Sequence, residues 1–435
     1  MAYRNSYNYK GGSKRVRDTR RAKRVLRGVG WTVLWLFVGM LITHLIFSVV
    51  SQSKKTLAEL DSQGIEPIAS HTDEVNSALT EACWCGSDFT DSYATDRIIA
   101  MLKRKGVTEA VLDMKPESGL LAYASGVPAA QRLGAVPEGA PELDRILVKF
   151  KNAGIRVIAR LSLYVDDVAA TDLKHCAVES REVTEVEVDE DGNETTVVRN
   201  EKTDVVWQDK NGHAWRSPFD QGAAEYARDL LIELAEGGVY AVLVDNVRFP
   251  TASDGDEGQV VFPEENDELP RAGALRQNIS ILYSAAQSAG IKLCVAMDAS
   301  FCCGEQDARA GITFNVFGLK ADVVCPKVIL SRLEAEGVAS VGTYAFADAR
   351  SADIPALFEA LCDGVHMMQG ALEEPPAAMP IIQAYSDSAS GFEFAPADLE
   401  AERDALDKRF VNGRIIYGAP EEIDRLFPDA VGGSE

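Results

Sequence analysis

Several apolar runs in this chain end on a carboxylate or a cation, and those ends are where chemistry can sit. In AVLVDNVRFP (241–250) four apolar residues lead into Asp245, with Arg248 and Pro250 just beyond it. CVAMDAS (294–300) repeats the pattern with Asp298. A carboxylate at the end of a buried run is costly unless it is paired or used. Other polar residues at run ends are Asp113, Lys115, Arg160, Tyr164, Lys327 and Gln383. Two carboxylates at one mouth suit hydrolysis of a glycosidic bond. One carries a proton for the leaving oxygen, and the other is ionised, to attack the anomeric carbon or activate water. Asp245 is expected as nucleophile or base and Asp298 as general acid. A cation such as Arg160 or Arg248 keeps a neighbouring carboxylate ionised, whereas an apolar rim raises its pKa. Substrate contacts are expected from Asp113, Lys115, Arg160, Tyr164, Trp215, Arg248, Lys327 and Gln383. The rings of Tyr164, Trp207, Trp215, Phe219 and Phe249 could stack on sugars or simply pack. The plainer alternatives are a structural ion pair of Asp245 with Arg248 or Arg160, and Asp298 capping a turn.

Other chemistries find less support. There is no GxSxG motif and no Ser/His/Asp order for an esterase. The five histidines (44, 71, 175, 213, 366) are scattered, and no Cys/His spacing suits zinc, so neither a metal nor a cofactor is expected. The eight cysteines are even in number, which leaves disulfides and buried thiols both open.

These side chains need a scaffold. Runs of strand type at Leu79–Cys85, Glu109–Met114, Arg156–Leu163, Tyr240–Asp245, Lys292–Met297, Asp322–Val328, Met379–Ala384 and Arg414–Tyr417 are mostly continuous and apolar. That is the mark of strands covered on both faces. Helical patterns at 95–105, 141–153, 221–237, 271–289, 353–362 and 396–410 fall between them. Strict alternation of eight strands with helices predicts an α/β fold, a (β/α)8 TIM barrel over residues 79–420, with its site at the C-terminal strand ends. No GxGxxG or GxxxxGK[ST] loop follows any strand, which argues against a nucleotide-binding open sheet. Residues 181–200 alternate polar and apolar around Asp191-Gly192, the pattern of a β-hairpin inserted after strand three.

The N-terminus reads differently. Residues 1–29 hold ten Lys and Arg against the single acid Asp18, and the rest of the chain has 34 basic and 66 acidic residues. So acidic a domain repels nucleic acid and other polyanions, and neutral or cationic partners fit better. Gly30–Val50 is a stretch of 21 residues without formal charge, long enough to span about 30 Å of hydrocarbon, with Trp31 and Trp35 near one interface. Positive-inside bias predicts a cytoplasmic tail (1–29), one transmembrane helix (30–50) and a stalk (51–78). The barrel and a short tail (421–435) would then lie outside the cell membrane.

The motifs together resemble a family of glycoside hydrolases with a TIM-barrel catalytic domain, first catalogued as a domain of unknown function. The resemblance runs from about Glu81 to Ala419. It rests on AVLDMKPESGLLAYAS (110–125), GIRVIARLSLYVDD (154–167), WQDKNGHAW with SPF (207–219), VLVDNVRFP (242–250), ADVVCP (321–326) and PIIQAYSD (380–387). It implies a carbohydrate-active barrel outside the cytoplasm, acting on a polysaccharide or oligosaccharide. Asp113, Arg160, Asp245, Arg248 and Asp298 fall on family motif positions. The chain departs from the family where substrate would bind: Leu243 and Asn246 flank Asp245, Lys327 stands where Met is usual, and Ala299-Ser300 follows Asp298. Those changes imply altered specificity or an inactive glycan-binding or envelope scaffold barrel.

Overall fold

A computed structural model describes residues 80–188, 194–255, 260–266, 268–335, 337–338, 340–388, 391–409 and 413–430. The expected tail, transmembrane helix and stalk fall outside these residues. Among the described residues no helix is long and apolar enough to cross a membrane.

Eight parallel strands close into a ring. They are β1 (Glu81–Trp84), β2 (Glu109–Lys115), β3 (Arg156–Ser162), β4 (Ala241–Asp245), β5 (Lys292–Asp298), β6 (Val323–Val328), β7 (Ile381–Gln383) and β8 (Arg414–Tyr417). Each pairs with its chain neighbour, β8 returns to β1, and β5 pairs with β6, so the sheet has no open edge. Helices cross between the strands: α1 (Ser92–Lys105), α2 (Leu143–Asn152), α3 (Gln221–Gly237), α4 (Arg271–Ala289), α5 (Ala299–Cys302), α6 (Ile354–Gly370), α7 (Pro396–Asp407) and α8 (Pro420–Leu426). Strand ends differ from the sequence expectation by only one or two residues. Helix α6 runs two turns further than expected. Gly364 lies inside it, where a Cβ would stand 2.7 Å from Cys303 Sγ, so this glycine permits close helix packing and ends nothing.

Strand alternation divides the core in two. Ala82, Val111, Ile158, Leu243, Cys294, Ala296, Val323, Cys325, Ile381 and Ile415 fill the barrel interior. Their neighbours, such as Ala110, Leu112, Val242, Val244, Val295, Val324 and Ile416, meet the helices. This is the period-two division of a barrel strand. The cysteines belong to this packing: all eight are free thiols, and all but Cys303 are buried. The inserted hairpin follows β3 as expected, with strands Val178–Val188 and Glu194–Val206 in antiparallel register. A short strand, Val260–Val261, joins its base at Val178 and Glu179.

Candidate active site

Carrying the inward parity of each strand one step beyond the apolar interior gives a ring of eight side chains. They are Trp84, Asp113, Arg160, Asp245, Asp298, Lys327, Gln383 and Tyr417, each two residues beyond an interior apolar residue of its own strand. The sequence reading found six of them. It missed Trp84 and Tyr417, which close β1 and β8.

Ion pairs tie the ring together. Arg160 donates from Nη2 to Asp245 Oδ2 at 2.9 Å and stands 3.7 Å, through Nη1, from Asp113 Oδ1. It also grips Glu117, through Nη2 to Oε1 and through Nη1 to Oε2 at 3.1 Å. Lys327 Nζ lies 3.0 Å from Asp245 Oδ1 and 3.4 Å from Asp298 Oδ1. One ammonium thus bridges both carboxylates, and their separation cannot exceed the total of those two distances. Arg248 Nε faces Asp298 Oδ2 at 3.3 Å, while its Nη atoms hold Asp254. Glu117 was not picked out from the sequence, although it lies four residues beyond Asp113 in the first motif.

Burial alone would raise the pKa of every one of these acids. At Asp245, Lys327 and then Arg160 outweigh burial and hold the carboxylate far below its ordinary range. At Asp298, Lys327 and Arg248 do the same. At Glu117, Arg160 outweighs burial and brings the pKa down to about 2. Asp113 goes the other way. Burial lifts it to about 6, against the pull of Arg160 and of the Trp84 hydrogen bond. Exposure separates them too: the Asp245 side chain is 6% exposed, Asp113 17%, Asp298 27% and Glu117 31%.

An aromatic arc borders Asp113. Trp84 Nε1 donates to Asp113 Oδ1 at 2.9 Å, and the Arg160 guanidinium lies 5.2 Å from the Trp84 ring. Trp84 meets Tyr417 edge-on with centroids 4.7 Å apart, and Tyr385 meets Tyr417 at 5.7 Å. On the opposite side a cleft of about 290 Å³ opens beside Asp298 and Lys327, lined also by Thr251, Ser253, Ser300 and Arg332.

Asn246 sits between Asp245 and Glu117 with φ of 58°, the left-handed region that asparagine tolerates better than most residues. There its backbone N–H donates to Asp245 Oδ1 at 2.7 Å, and its Nδ2 donates to Glu117 Oε1 at 3.0 Å.

Four expected contact residues lie elsewhere. A register shift between Asp113 and Lys115 takes Lys115 out of the ring. It is buried against Asp166, 2.8 Å away, and donates to the Ser162 carbonyl. Tyr164 is wholly buried, and its hydroxyl accepts from Asn278. Trp215 is buried beneath Arg248 and donates to Asp209. Arg248 is itself buried and reaches the mouth through Asp298. Trp207 and Phe249 are also core. Gln383 keeps its place in the ring but is buried, accepting from Ser331 N–H and donating to the Tyr385 carbonyl.

Several known structures superpose on the chain. The glycoside hydrolase domain of PgaB (BpsB) from Bordetella bronchiseptica superposes with a TM-score of 0.51 at 13% identity, over 80% of this chain and 99% of that one. The catalytic domain of β-amylase from Paenibacillus polymyxa gives 0.46 at 10%, over 81% and 95%. The β-galactosidase from Marinomonas ef1 gives 0.49 at 11%, over 78% and 54%. At such identities the first of these shows the fold alone. No curated protein matches the chain. A family model described as "Putative glycosyl hydrolase domain" matches residues 85–422.

Proposed function

The chain belongs to that glycosyl hydrolase family, and from this premise we propose that it hydrolyses glycosidic bonds of a polysaccharide or oligosaccharide with Asp113 and Asp245 as its two carboxylates. One observation carries the proposal. Two acids that share Arg160 differ in proton affinity: Asp113 titrates near neutrality, at about 6, and Asp245 stays ionised. Splitting two carboxylates in this way supplies an acid and a base at one pH. Asp113 is the proton donor to the leaving oxygen. Asp245 attacks the anomeric carbon or activates water, and Arg160 and Lys327 hold it in place. Asp298, expected from sequence as the acid, has the wrong electrostatics for that task, because Lys327 and Arg248 keep it charged. It is better placed to orient Lys327 and to line the cleft.

Release of reducing ends from a panel of polysaccharides tests the proposal. Wild type is expected to turn over at least one of them, and Asp245→Asn to lose about a thousandfold or more in kcat. Near-wild-type turnover by Asp245→Asn would remove Asp245 from the mechanism. Since Asp245 is a shared counter-charge, the variant also loses some stability, so its fold is checked in parallel.

One observation favours the second reading, a barrel that binds glycans without turnover. Lys327 stands between Asp245 and Asp298 and neutralises both. Under that reading wild type binds but does not cleave, and Lys327→Met restores cleavage. Under the first, Lys327→Met lowers kcat.

The apolar stretch 30–50 and the basic residues before it support anchoring in the cell membrane, with the barrel outside. Digestion of the barrel by protease added to intact cells is the expected result, and full protection would contradict it.

A further inference from the structure

Three side chains from separate segments converge near the base of the inserted hairpin. His175 lies in the loop after β3, Asp220 caps α3, and Glu264 lies in the loop before α4. One ligand atom from each lies within 4.8 Å of the other two. His175 Nδ1 is 2.7 Å from Glu264 Oε1. Asp220 accepts the Gly222 N–H at 2.9 Å on Oδ1 and Arg216 at 2.7 Å on Oδ2, which leaves each oxygen a further lone pair.

A second observation points to a missing positive partner. Glu264 Oε2 is sealed from solvent, although its side chain is 25% exposed, and among the described residues it has no hydrogen-bond partner. A buried acceptor left in that state is destabilising, more so when charged. The backbones that carry the ligands are also fixed. Phe219, next to Asp220, and Phe262, two residues before Glu264, both pack on Phe249 with centroids 5.1 Å apart. The His175 carbonyl accepts Ser217 N–H at 2.9 Å.

We propose that His175, Asp220 and Glu264 form a site for a divalent transition-metal cation, with Zn2+ as its best probe. One imidazole and two carboxylates are a common borderline donor set. At metal–ligand distances of about 2.0–2.2 Å an ion spans ligand pairs of up to about 4.4 Å, so a small rotamer change in one side chain closes the set. The ion displaces the proton shared between His175 Nδ1 and Glu264 Oε1 and brings positive charge to the Glu264 carboxylate, whose other oxygen is unpartnered. Binding therefore releases protons and weakens as pH falls. Arg216, beside Asp220, opposes the cation and limits its affinity. Because Val260–Val261 pairs with the hairpin base, an ion on Glu264 ties that base to the loop after β3 and to the start of α3. Sequence spacing hides the site, since its ligands come from three distant segments.

The test uses the full chain, stripped with EDTA, incubated with Zn2+ and desalted. About one equivalent of zinc retained, with a raised Tm, is expected. Glu264→Gln and His175→Gln should each bind about tenfold more weakly or worse, with unchanged Tm in EDTA. A measurement on wild type alone guards against misfolded variants: zinc should protect His175 from diethyl pyrocarbonate, read by peptide mass spectrometry. Absence of retained zinc, unchanged zinc affinity in both variants, or His175 equally reactive with and without zinc would each overturn the site.

Discussion

Asp113 and Asp298 make a natural pair for comparison. Each is an inward-facing aspartate near the end of a barrel strand, and each is largely enclosed. Yet Asp113 keeps its proton up to about pH 6, whereas Asp298 is held ionised far below that. Burial acts on both, so burial cannot be the cause of the difference. The cations are. Asp298 faces Arg248 at 3.3 Å and Lys327 at 3.4 Å. Among the described residues Asp113 pairs with Arg160 alone, at 3.7 Å, and that guanidinium already serves Glu117 and Asp245. A mouth with similar acids on two sides becomes an acid side and a base side through the way a few cations are shared.

The comparison can be broken most directly at Asp113. Asp113→Asn keeps the shape and the Trp84 contact but cannot give up a proton. Its kcat should fall about 10²–10⁴-fold on a natural glycan, and much less on an aryl glycoside whose leaving group needs no proton. In wild type, kcat/KM should decline as pH rises through about 6, because the donor must be protonated, and Asp113→Asn should lose that limb. An equal loss on both substrates would assign Asp113 a purely structural part.

A third carboxylate extends the comparison to its limit. Glu402 on α7 is wholly buried, neither oxygen has a hydrogen-bond partner among the described residues, and burial raises its pKa well above the ordinary value. It has burial and, among the described residues, no cation paired with it. Glu402→Leu should therefore stabilise the barrel by about 1–3 kcal/mol, read by denaturant unfolding. A group whose folded pKa is raised stabilises fully below its unfolded pKa, and that contribution fades as pH rises. The gain from Glu402→Leu should thus be greater at pH 8 than at pH 5. A gain that shrinks with pH would mean the carboxylate is ionised and paired.

Glu117→Gln sharpens the account with the smallest effect. Glu117 raises the Asp113 pKa and occupies Arg160. Removing its charge should lower the Asp113 pKa, so the alkaline limb of kcat/KM should move to lower pH by a fraction of a unit to about one unit. A shift to higher pH would show that Glu117 and Asp113 are not coupled through Arg160.

Much of this was legible in the sequence. Continuous apolar runs alternating with helical patterns located all eight strands, and polar residues closing those runs located six of the eight ring positions. Trp84 and Tyr417 escaped because an aromatic residue at a strand end reads as core. Lys115 looked equivalent to Asp113 by spacing, but a register shift within β2 turns it into a buried pair with Asp166. Tyr164 and Trp215 have the chemical type of sugar-contact residues, but their packing depends on segments distant in sequence, such as Asn278 against Tyr164 and Arg248 over Trp215. The choice of acid lay beyond any motif. It depends on distances of 3.3 to 3.7 Å between cations and carboxylates carried on different strands.

The most direct test needs no substrate. Titrating the Asp113 carboxyl by 13C NMR, assigned by its absence in Asp113→Asn, should give a pKa near 6. A value near 4, as for an ordinary aspartate, would leave the mouth without a proton donor at neutral pH and contradict the account.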